Sequence, residues 1–170
     1  HYGTLIAKGE QADTSALSGL VALAGASEDQ YPVMVRATAL SLLAGYDDER
    51  AVDAIKFHLA NEDDIMRFNA VRGMQAVNDD EYPGFLVPML SDPIRAVRIE
   101  AAYRLDLLPQ GMRDSSWIKP FRETLREYEE SMIYTADFAS GSYNLANLYY
   151  REGDAKKAEY WFQRAIEVDQ

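Results

Sequence analysis

The hydrophobic and polar positions of this chain repeat with a period of 31 residues. Arg36, Arg67 and Arg98 stand at that spacing, and each is followed three positions later by an alanine. An apolar residue follows each arginine by seven positions: Leu43, Met74 and Leu105. Offsets of three and seven fall on one face of an α-helix, so the pattern predicts three equivalent helices, each with a buried apolar face.

Each of these helices has a predicted helical partner before it. Caps and turn residues predict helix pairs at residues 14–25 with 33–44, 50–61 with 64–77, and 83–90 with 93–108. Leu59 and Leu90 precede their arginines by the same eight residues, whereas an insertion near residues 28–31 lengthens the first repeat. A fixed period of this kind is typical of a solenoid, in which helix pairs bury their apolar faces against neighbouring pairs.

The pattern changes after residue 110. Pro109, Gly111 and the polar run at 113–116 predict a boundary, which separates a repeat region at residues 1–110 from a second region at residues 111–170. Beyond the boundary, apolar residues recur at spacings of three to four: Trp117, Phe121, Leu125, Tyr128 and Met132. They predict one long amphipathic linker helix that ends near Thr135.

The repeat region resembles a row of about three short HEAT repeats. The resemblance implies a structural ladder of Arg36, Arg67 and Arg98, in which each arginine pairs with an acidic residue of the preceding turn. Asp92 fits this role before Arg98, whereas Asn61 occupies the equivalent place before Arg67. The interpretation is that these arginines hold the repeats in register and do not bind phosphate.

Residues 139–170 carry a second kind of repeat. Eight positions follow the spacing of the tetratricopeptide signature: Ser142, Leu145, Ala146, Tyr149, Gly153, Ala158, Phe162 and Ala165. The segment resembles one tetratricopeptide repeat (TPR), with the turn between its helices at Gly153 and Asp154, and it is expected to be cut from a longer array. The sequence as a whole therefore predicts an all-α fold: an α-solenoid of HEAT-like helix pairs, a long linker helix and a TPR helix pair.

The order of these segments carries a further resemblance. The sequence His-Tyr-Gly-Thr-Leu at residues 1–5 is followed by Val-Arg-Ala-Thr-Ala-Leu at residues 35–40 and then by the linker helix. Tyr-Asn-Leu-Ala-Asn-Leu-Tyr-Tyr-Arg-Glu-Gly-Asp comes after that helix, at residues 143–154. This arrangement resembles the C-terminal region of bacterial multihaem cytochrome c family proteins. The resemblance implies a periplasmic or otherwise extracytoplasmic parent chain that binds haem c upstream. No cofactor is expected in this segment itself, since it contains no cysteine for haem attachment.

The charge and hydropathy of the sequence argue against nucleic-acid and membrane partners. The net charge is −11, made up of −8 over residues 1–110 (9 basic and 17 acidic) and −3 over residues 111–170 (8 basic and 11 acidic). Both regions repel a phosphate backbone, so no nucleic-acid partner is expected. No stretch of the sequence is apolar for long enough to predict membrane insertion.

The TPR resemblance implies a partner-binding inner face. The residues on it are Ser140, Tyr143, Asn147, Tyr150 and Arg151. The Asn147 carboxamide is suited to a ligand's backbone amide, and Arg151 to a carboxylate. The alternative interpretation is that Tyr143 and Tyr150 pack against the linker helix or against further repeats.

The sequence contains few residue patterns that are typical of metal binding or catalysis. Acidic runs at residues 47–49, 62–64 and 79–81 offer oxygen ligands for calcium, but they lack the spacing of an EF-hand loop and lie where helix N-termini need caps. His58 stands alone among apolar helix positions, which does not indicate a metal site. The sequence shows no phosphate loop and no catalytic triad pattern.

These observations predict a non-catalytic protein–protein interaction or scaffold module. Its expected partner is a protein or peptide, or another domain of the same chain. One alternative is a purely intramolecular packing module. Another is an enzyme or tetrapyrrole binder of the phycobilin-lyase type, because Val-Arg followed by Ala-Ala in the third repeat resembles HEAT-like units of those lyases.

Overall fold

Helices make up the regular structure of the chain. The structure, a computed structural model, describes residues 1–76 and 81–169. Over these residues it contains no β-strand, and the α-helices are α1 (Tyr2–Gly9), α2 (Leu17–Ala24), α3 (Val33–Leu43), α4 (Glu49–His58), α5 (Asp64–Gly73), α6 (Tyr82–Leu86), α7 (Arg95–Asp106), α8 (Ile118–Tyr134), α9 (Ala139–Arg151) and α10 (Ala155–Val168). The predicted all-α class is confirmed.

The structure divides into two compact units. The N-terminal unit is His1–Arg104 and the C-terminal unit is Leu105–Gln170. This division falls near the end of α7, a few residues before the boundary that Pro109 and Gly111 indicate. Within the described residues, no helix is both long and apolar enough to cross a membrane.

The core of the N-terminal unit follows the sequence period. The helix α3 packs against α2 and α5, and α4 packs against α5. The alanines three positions after each arginine, Ala39, Ala70 and Ala101, are completely buried. A methyl group is the smallest side chain that keeps helix propensity, so these positions let helices approach closely. Leu43 and Met74, seven positions after their arginines, are also completely buried, as is Leu105 at the start of the C-terminal unit.

The N-terminus adds a helix that the sequence analysis did not predict. In α1, the His1 side chain accepts a hydrogen bond from the Gly3 amide at 3.2 Å and caps the helix. The helix packs on α2 and α3. The close approach is visible at Gly19, where an added Cβ would lie 2.6 Å from Leu5 Cδ2.

The first helix of the third repeat is shorter than predicted. The sequence pattern indicates a helix at residues 83–90, but α6 ends at Leu86 and a 3-10 turn follows at Pro88–Ser91. Pro88 has no amide hydrogen for an α-helical bond, and its ring clashes with the preceding turn. In the second repeat α5 ends at Gly73 and a 3-10 turn follows at Met74–Ala76. Val77, where that helix is predicted to end, lies outside the described residues.

The C-terminal unit contains the linker helix and a helix pair. The helix α8 begins and ends within one residue of its predicted limits at Trp117 and Thr135, and it packs against α9. Its buried face consists of Phe121, Thr124, Leu125 and Tyr128. The helices α9 and α10 form the pair at residues 139–170, joined by a turn in which Gly153 has φ +81°. Glycine is favoured there because it has no Cβ to strain a left-handed backbone.

Candidate functional site

The best-formed rung of the arginine ladder joins the second and third repeats. Arg67 Nε donates to Asp92 Oδ2 at 2.7 Å and Arg67 Nη2 donates to Asp92 Oδ1 at 3.2 Å, a forked arrangement with high geometric specificity. The two side chains are 12% and 4% exposed, respectively. Burial acts to raise the pKa of Asp92, but hydrogen bonds from Arg67 and from the Ile94 amide outweigh it and hold that pKa below its usual value.

The arginines also bind the main chain of the preceding turn. Arg67 Nη1 donates to the carbonyl oxygens of Asn61 and Glu62, both at 2.8 Å. Arg98 Nη1 donates to the carbonyl oxygens of Asp92 and Pro93, at 2.8 and 3.2 Å. The Asp92 carbonyl oxygen therefore accepts a hydrogen bond from Arg98 of its own repeat. The Asp92 carboxylate accepts hydrogen bonds from Arg67 of the previous repeat. The HEAT resemblance had pointed only to a pairing with Arg98.

The arginine of the first repeat has no buried carboxylate partner among the described residues. Arg36 is only 7% exposed, and its nearest acid is the exposed Glu28, with 4.0 Å between Nη1 and Oε1. Among the described residues its buried Nε has no hydrogen-bond partner. Asn61 follows Arg36 by the same 25 residues that separate Asp92 from Arg67. A neutral amide therefore stands where the next rung has an anion.

A buried histidine lies beside this incomplete rung. His58 is 3% exposed, and its Nδ1 lies 3.1 Å from Asn61 Nδ2. Burial lowers the pKa of His58, and the positive charge of Arg36 lowers it further. Both effects favour the neutral form of His58, whose ring is buried inside the unit.

The acidic runs cap helices. Asp48 Oδ1 accepts from the Arg50 amide at 2.9 Å at the start of α4. Asp63 Oδ1 accepts from the Ile65 and Met66 amides at 2.8 and 3.3 Å at the start of α5. Asp79 and Asp80, of the third run, lie outside the described residues. Among the residues that the structure describes, no group of three or more histidines, cysteines and acids is placed to hold a metal ion.

Close contacts fix the first turn of α9. A Cβ added at Gly141 would lie 2.3 Å from the Thr135 carbonyl oxygen, so this position requires glycine. The facing helices approach through Ala146 and Ala158, both buried. Asp154 caps α10 by accepting from the Lys157 amide at 3.1 Å. Close packing at Gly141 therefore fixes the start of α9, and the Asp154 cap fixes the start of α10.

An apolar groove runs over the α9–α10 pair. It has a volume of about 630 Å³ and is lined by Ala139, Ser140, Tyr143, Phe162, Ala165, Ile166 and Asp169. The rings of Tyr143 and Phe162 meet edge to face with centroids 5.9 Å apart. Tyr143 is 55% exposed and Ile166 63% exposed. We call this surface the α9–α10 groove.

The structure places the five predicted inner-face residues in different surroundings. Ser140 and Tyr143 line the α9–α10 groove. Tyr150 is 71% exposed, and Asn147 Nδ2 donates to the Tyr143 carbonyl oxygen of its own helix at 2.9 Å. Arg151 lies outside the groove, because its Nε donates to Asp106 Oδ2 at 2.5 Å.

Asp106 organises the segment that leads into α8. Its carboxylate is fully buried and also accepts from Arg113 Nη2 at 3.0 Å. Arg113 Nη1 in turn donates to Glu152 Oε1 at 2.6 Å. Burial acts to raise the pKa of Asp106, and the charges of Arg151 and Arg113 oppose that rise. This cluster ties the residues around 106–113 to the end of α9, which is a structural role.

The groove residues on α10 were not found from the sequence. The sequence identifies Phe162 and Ala165 only as positions of the tetratricopeptide signature, and it does not single out Ile166. The available signal was their spacing, since Phe162, Ala165, Ile166 and Asp169 recur at three and four positions. That stripe is wider than packing against one partner helix requires.

Comparison with known proteins gives one family. A family model for HEAT repeats matches residues 17–106, which is more than half of the chain. No curated protein and no solved structure matches the sequence. The matched residues include the three ladder arginines and the buried alanines that follow them. The chain belongs to the HEAT-repeat family.

Proposed function

We propose that this chain is a non-catalytic scaffold module whose α9–α10 groove docks another protein. The observation that carries the proposal is the exposed apolar groove, with Tyr143 and Ile166 on its surface. Contiguous exposed apolar patches are unusual on soluble proteins and mark sites of interaction. HEAT repeats are commonly protein-interaction scaffolds, which supports the same conclusion.

The residues around the groove suit a protein partner. Tyr150 lies two turns beyond Tyr143 on the same face of α9 and is 71% exposed. Tyrosine combines a large apolar ring with a hydrogen-bonding hydroxyl and is enriched in the buried centres of protein interfaces. A net charge of −11 disfavours a nucleic-acid partner.

The HEAT repeats would give the module rigidity. The Arg67–Asp92 rung and the fully buried alanines hold successive helix pairs in register. A rigid repeat region loses little conformational entropy when a partner binds to its own surface. In this proposal the N-terminal unit is the scaffold and the C-terminal unit carries the docking surface.

The finer part of the proposal concerns the helix pair and the parent protein. We infer that α9 and α10 form a TPR within an extracytoplasmic multihaem cytochrome c family protein. The eight signature positions support the TPR, and the order of sequence segments supports the parent. Expression of the parent gene under cytochrome c maturation conditions tests it: sharp c-type bands in the reduced visible spectrum are expected, and their absence would remove the haem assignment without touching the groove.

A paired substitution tests the docking surface. Tyr143→Ser with Ile166→Ser, made in the natural full-length protein, is expected to abolish co-purification of a stoichiometric partner while leaving thermal unfolding unchanged. The matched control is Phe57→Ser, which alters a side chain that is 74% exposed in the other unit. Retention of the partner by the double variant would refute the proposal. If a domain of the same protein instead becomes sensitive to protease, the groove packs intramolecularly.

A further inference from the structure

The guanidinium group of Arg36 is buried without a buried counter-ion. The Arg36 side chain is 9% exposed, whereas Glu28, the one acid within 4.0 Å among the described residues, is 72% exposed. The Arg36 side chain forms no hydrogen bond with any residue that the structure describes, and its Nε is buried. A buried charge that lacks its partner is strongly destabilising. An unsatisfied donor of this kind in a folded protein indicates a bound water molecule or ion.

The second repeat shows the bonds that Arg36 lacks. The Arg67 side chain is 12% exposed, which is close to the value for Arg36. Its Nε donates to Asp92 Oδ2 at 2.7 Å, and its Nη1 donates to the carbonyl oxygens of Asn61 and Glu62. The two arginines are therefore similar in burial, and they differ in the acceptors that the described residues offer them.

Asn61 does not supply the missing acceptor. It stands 25 residues after Arg36, as Asp92 stands after Arg67. Its Oδ1 accepts from the Asp63 amide at 2.9 Å, and its Nδ2 lies 3.1 Å from His58 Nδ1. An amide nitrogen only donates, so Nδ2 gives one hydrogen to the histidine and keeps a second one. The incomplete rung thus holds N–H donors on both of its ladder residues, which is the chemistry of an anion site.

We propose that a small monovalent anion, with chloride as the probe, binds to the Arg36 guanidinium and takes the place that the Asp92 carboxylate takes on Arg67. Chloride accepts N–H hydrogen bonds from several directions and carries the single charge that one arginine balances. Hydrogen bonds between ionised groups are strong where water is largely excluded. The exposed fraction of the Arg36 side chain gives ions of the solvent access to it. The bound anion completes the rung and stabilises the first repeat.

His58 provides a local readout of the site. Its ring is buried, and the positive charge of Arg36 contributes to the lowering of its pKa. An anion bound to Arg36 offsets that positive charge, so chloride is expected to raise the pKa of His58. The chain contains two histidines, and His1, which is exposed at the start of α1, serves as the internal reference.

The test compares the full chain in sodium chloride and in sodium gluconate at equal ionic strength, since gluconate is too large for a buried site. In urea denaturation, chloride at about ten times its dissociation constant is expected to raise the folded-to-unfolded ratio about tenfold, and the effect is expected to saturate. Histidine NMR titration in the same two salts is expected to show a higher pKa for His58 in chloride and no change for His1. Equal stability and an equal His58 pKa in the two salts would overturn the proposal.

Three variants separate the site from a general effect of salt. Asn61→Asp supplies the carboxylate covalently and is expected to abolish the chloride dependence of stability. Arg36→Met removes the charge and is expected to abolish it as well, which keeps the test decisive if one of the two variants does not fold. The matched control is Glu28→Gln, which removes the exposed acid beside Arg36 and is expected to leave the chloride dependence intact. The same chloride dependence in wild type, Asn61→Asp and Arg36→Met would overturn the assignment, as would its loss in Glu28→Gln.

Discussion

The two units of this protein treat their apolar residues differently. In the N-terminal unit, the apolar residues on the 31-residue period are completely buried, as at Ala39 and Ala70. In the C-terminal unit, the helix pair leaves Tyr143, Tyr150 and Ile166 more than half exposed. Residues that recur with the period thus stabilise the repeats, whereas apolar residues in excess of the core mark the candidate docking surface.

A second contrast lies within the ladder itself. Arg67 has a buried carboxylate partner in Asp92, while Arg36 has the neutral Asn61 at the equivalent position. The amide still supports its turn, since Asn61 Oδ1 accepts from the Asp63 amide as Asp92 Oδ1 accepts from the Ile94 amide. The two rungs therefore share their turn geometry and differ in charge.

Removal of Asp92 is expected to have the largest effect. Asp92→Ala leaves the Arg67 guanidinium buried without its counter-charge, which is expected to cost about 3 kcal/mol in the free energy of unfolding. Asn61→Ala removes only neutral hydrogen bonds and is expected to cost about 1 kcal/mol. Urea denaturation of both variants measures the difference, and equal losses would show that the carboxylate adds nothing to the rung.

A substitution in the C-terminal unit is expected to come next. Gly141→Ala places a Cβ 2.3 Å from the Thr135 carbonyl oxygen, so the start of α9 must shift at a cost of about 2 kcal/mol. Gly84→Ala is the control, because no atom lies within 4 Å of its added Cβ. That variant is expected to be neutral or slightly more stable in thermal unfolding. If both substitutions behave alike, the close contact at Gly141 does not hold.

The pH dependence of the Arg67–Asp92 rung is expected to be a smaller effect. The pKa of Asp92 is lowered in the folded protein, so its contribution to stability is present above the unfolded pKa of about 3.9 and is lost as pH falls through the folded value. The stability difference between wild type and Asp92→Asn is therefore expected to be full at neutral pH and to shrink in acid. A difference that stays constant down to the acid transition would contradict this account.

Completion of the incomplete rung is expected to give the smallest change. Asn61→Asp places a carboxylate 25 residues after Arg36, as Asp92 is placed after Arg67, and is expected to stabilise the protein by about 1 kcal/mol. The new charge is also expected to raise the pKa of His58, which histidine NMR titration would detect. Destabilisation by Asn61→Asp would show that the first repeat, with its insertion, does not share the geometry of the others.

Much of the fold can be predicted from the sequence because it depends on local periodicity. The arginine-to-alanine spacing identified Ala39, Ala70 and Ala101 before their burial was seen, and Gly153 identified the turn between α9 and α10. The shortening of α6 was also encoded locally, in Pro88. The predicted split of the chain into regions 1–110 and 111–170 stays a prediction.

The candidate site is harder to predict from the sequence because it depends on contacts between residues far apart in the chain. Arg151 lies on the predicted inner face, yet it binds Asp106, 45 residues earlier in the chain. One-dimensional spacing carries no signal for such a pair. The groove residues of α10 follow a helical period, but that period alone does not distinguish a side packed on α9 from a side left open.

Photo-crosslinking tests the central claim most directly. A photoreactive phenylalanine analogue replaces Tyr143 in the natural full-length protein, and the matched position is Phe57 in the N-terminal unit. The account predicts that irradiation of the producing cells joins position 143, and not position 57, to one separate protein, and that Ile166→Ser abolishes the crosslink. Failure of position 143 to crosslink to any other protein, while position 57 does, would contradict it.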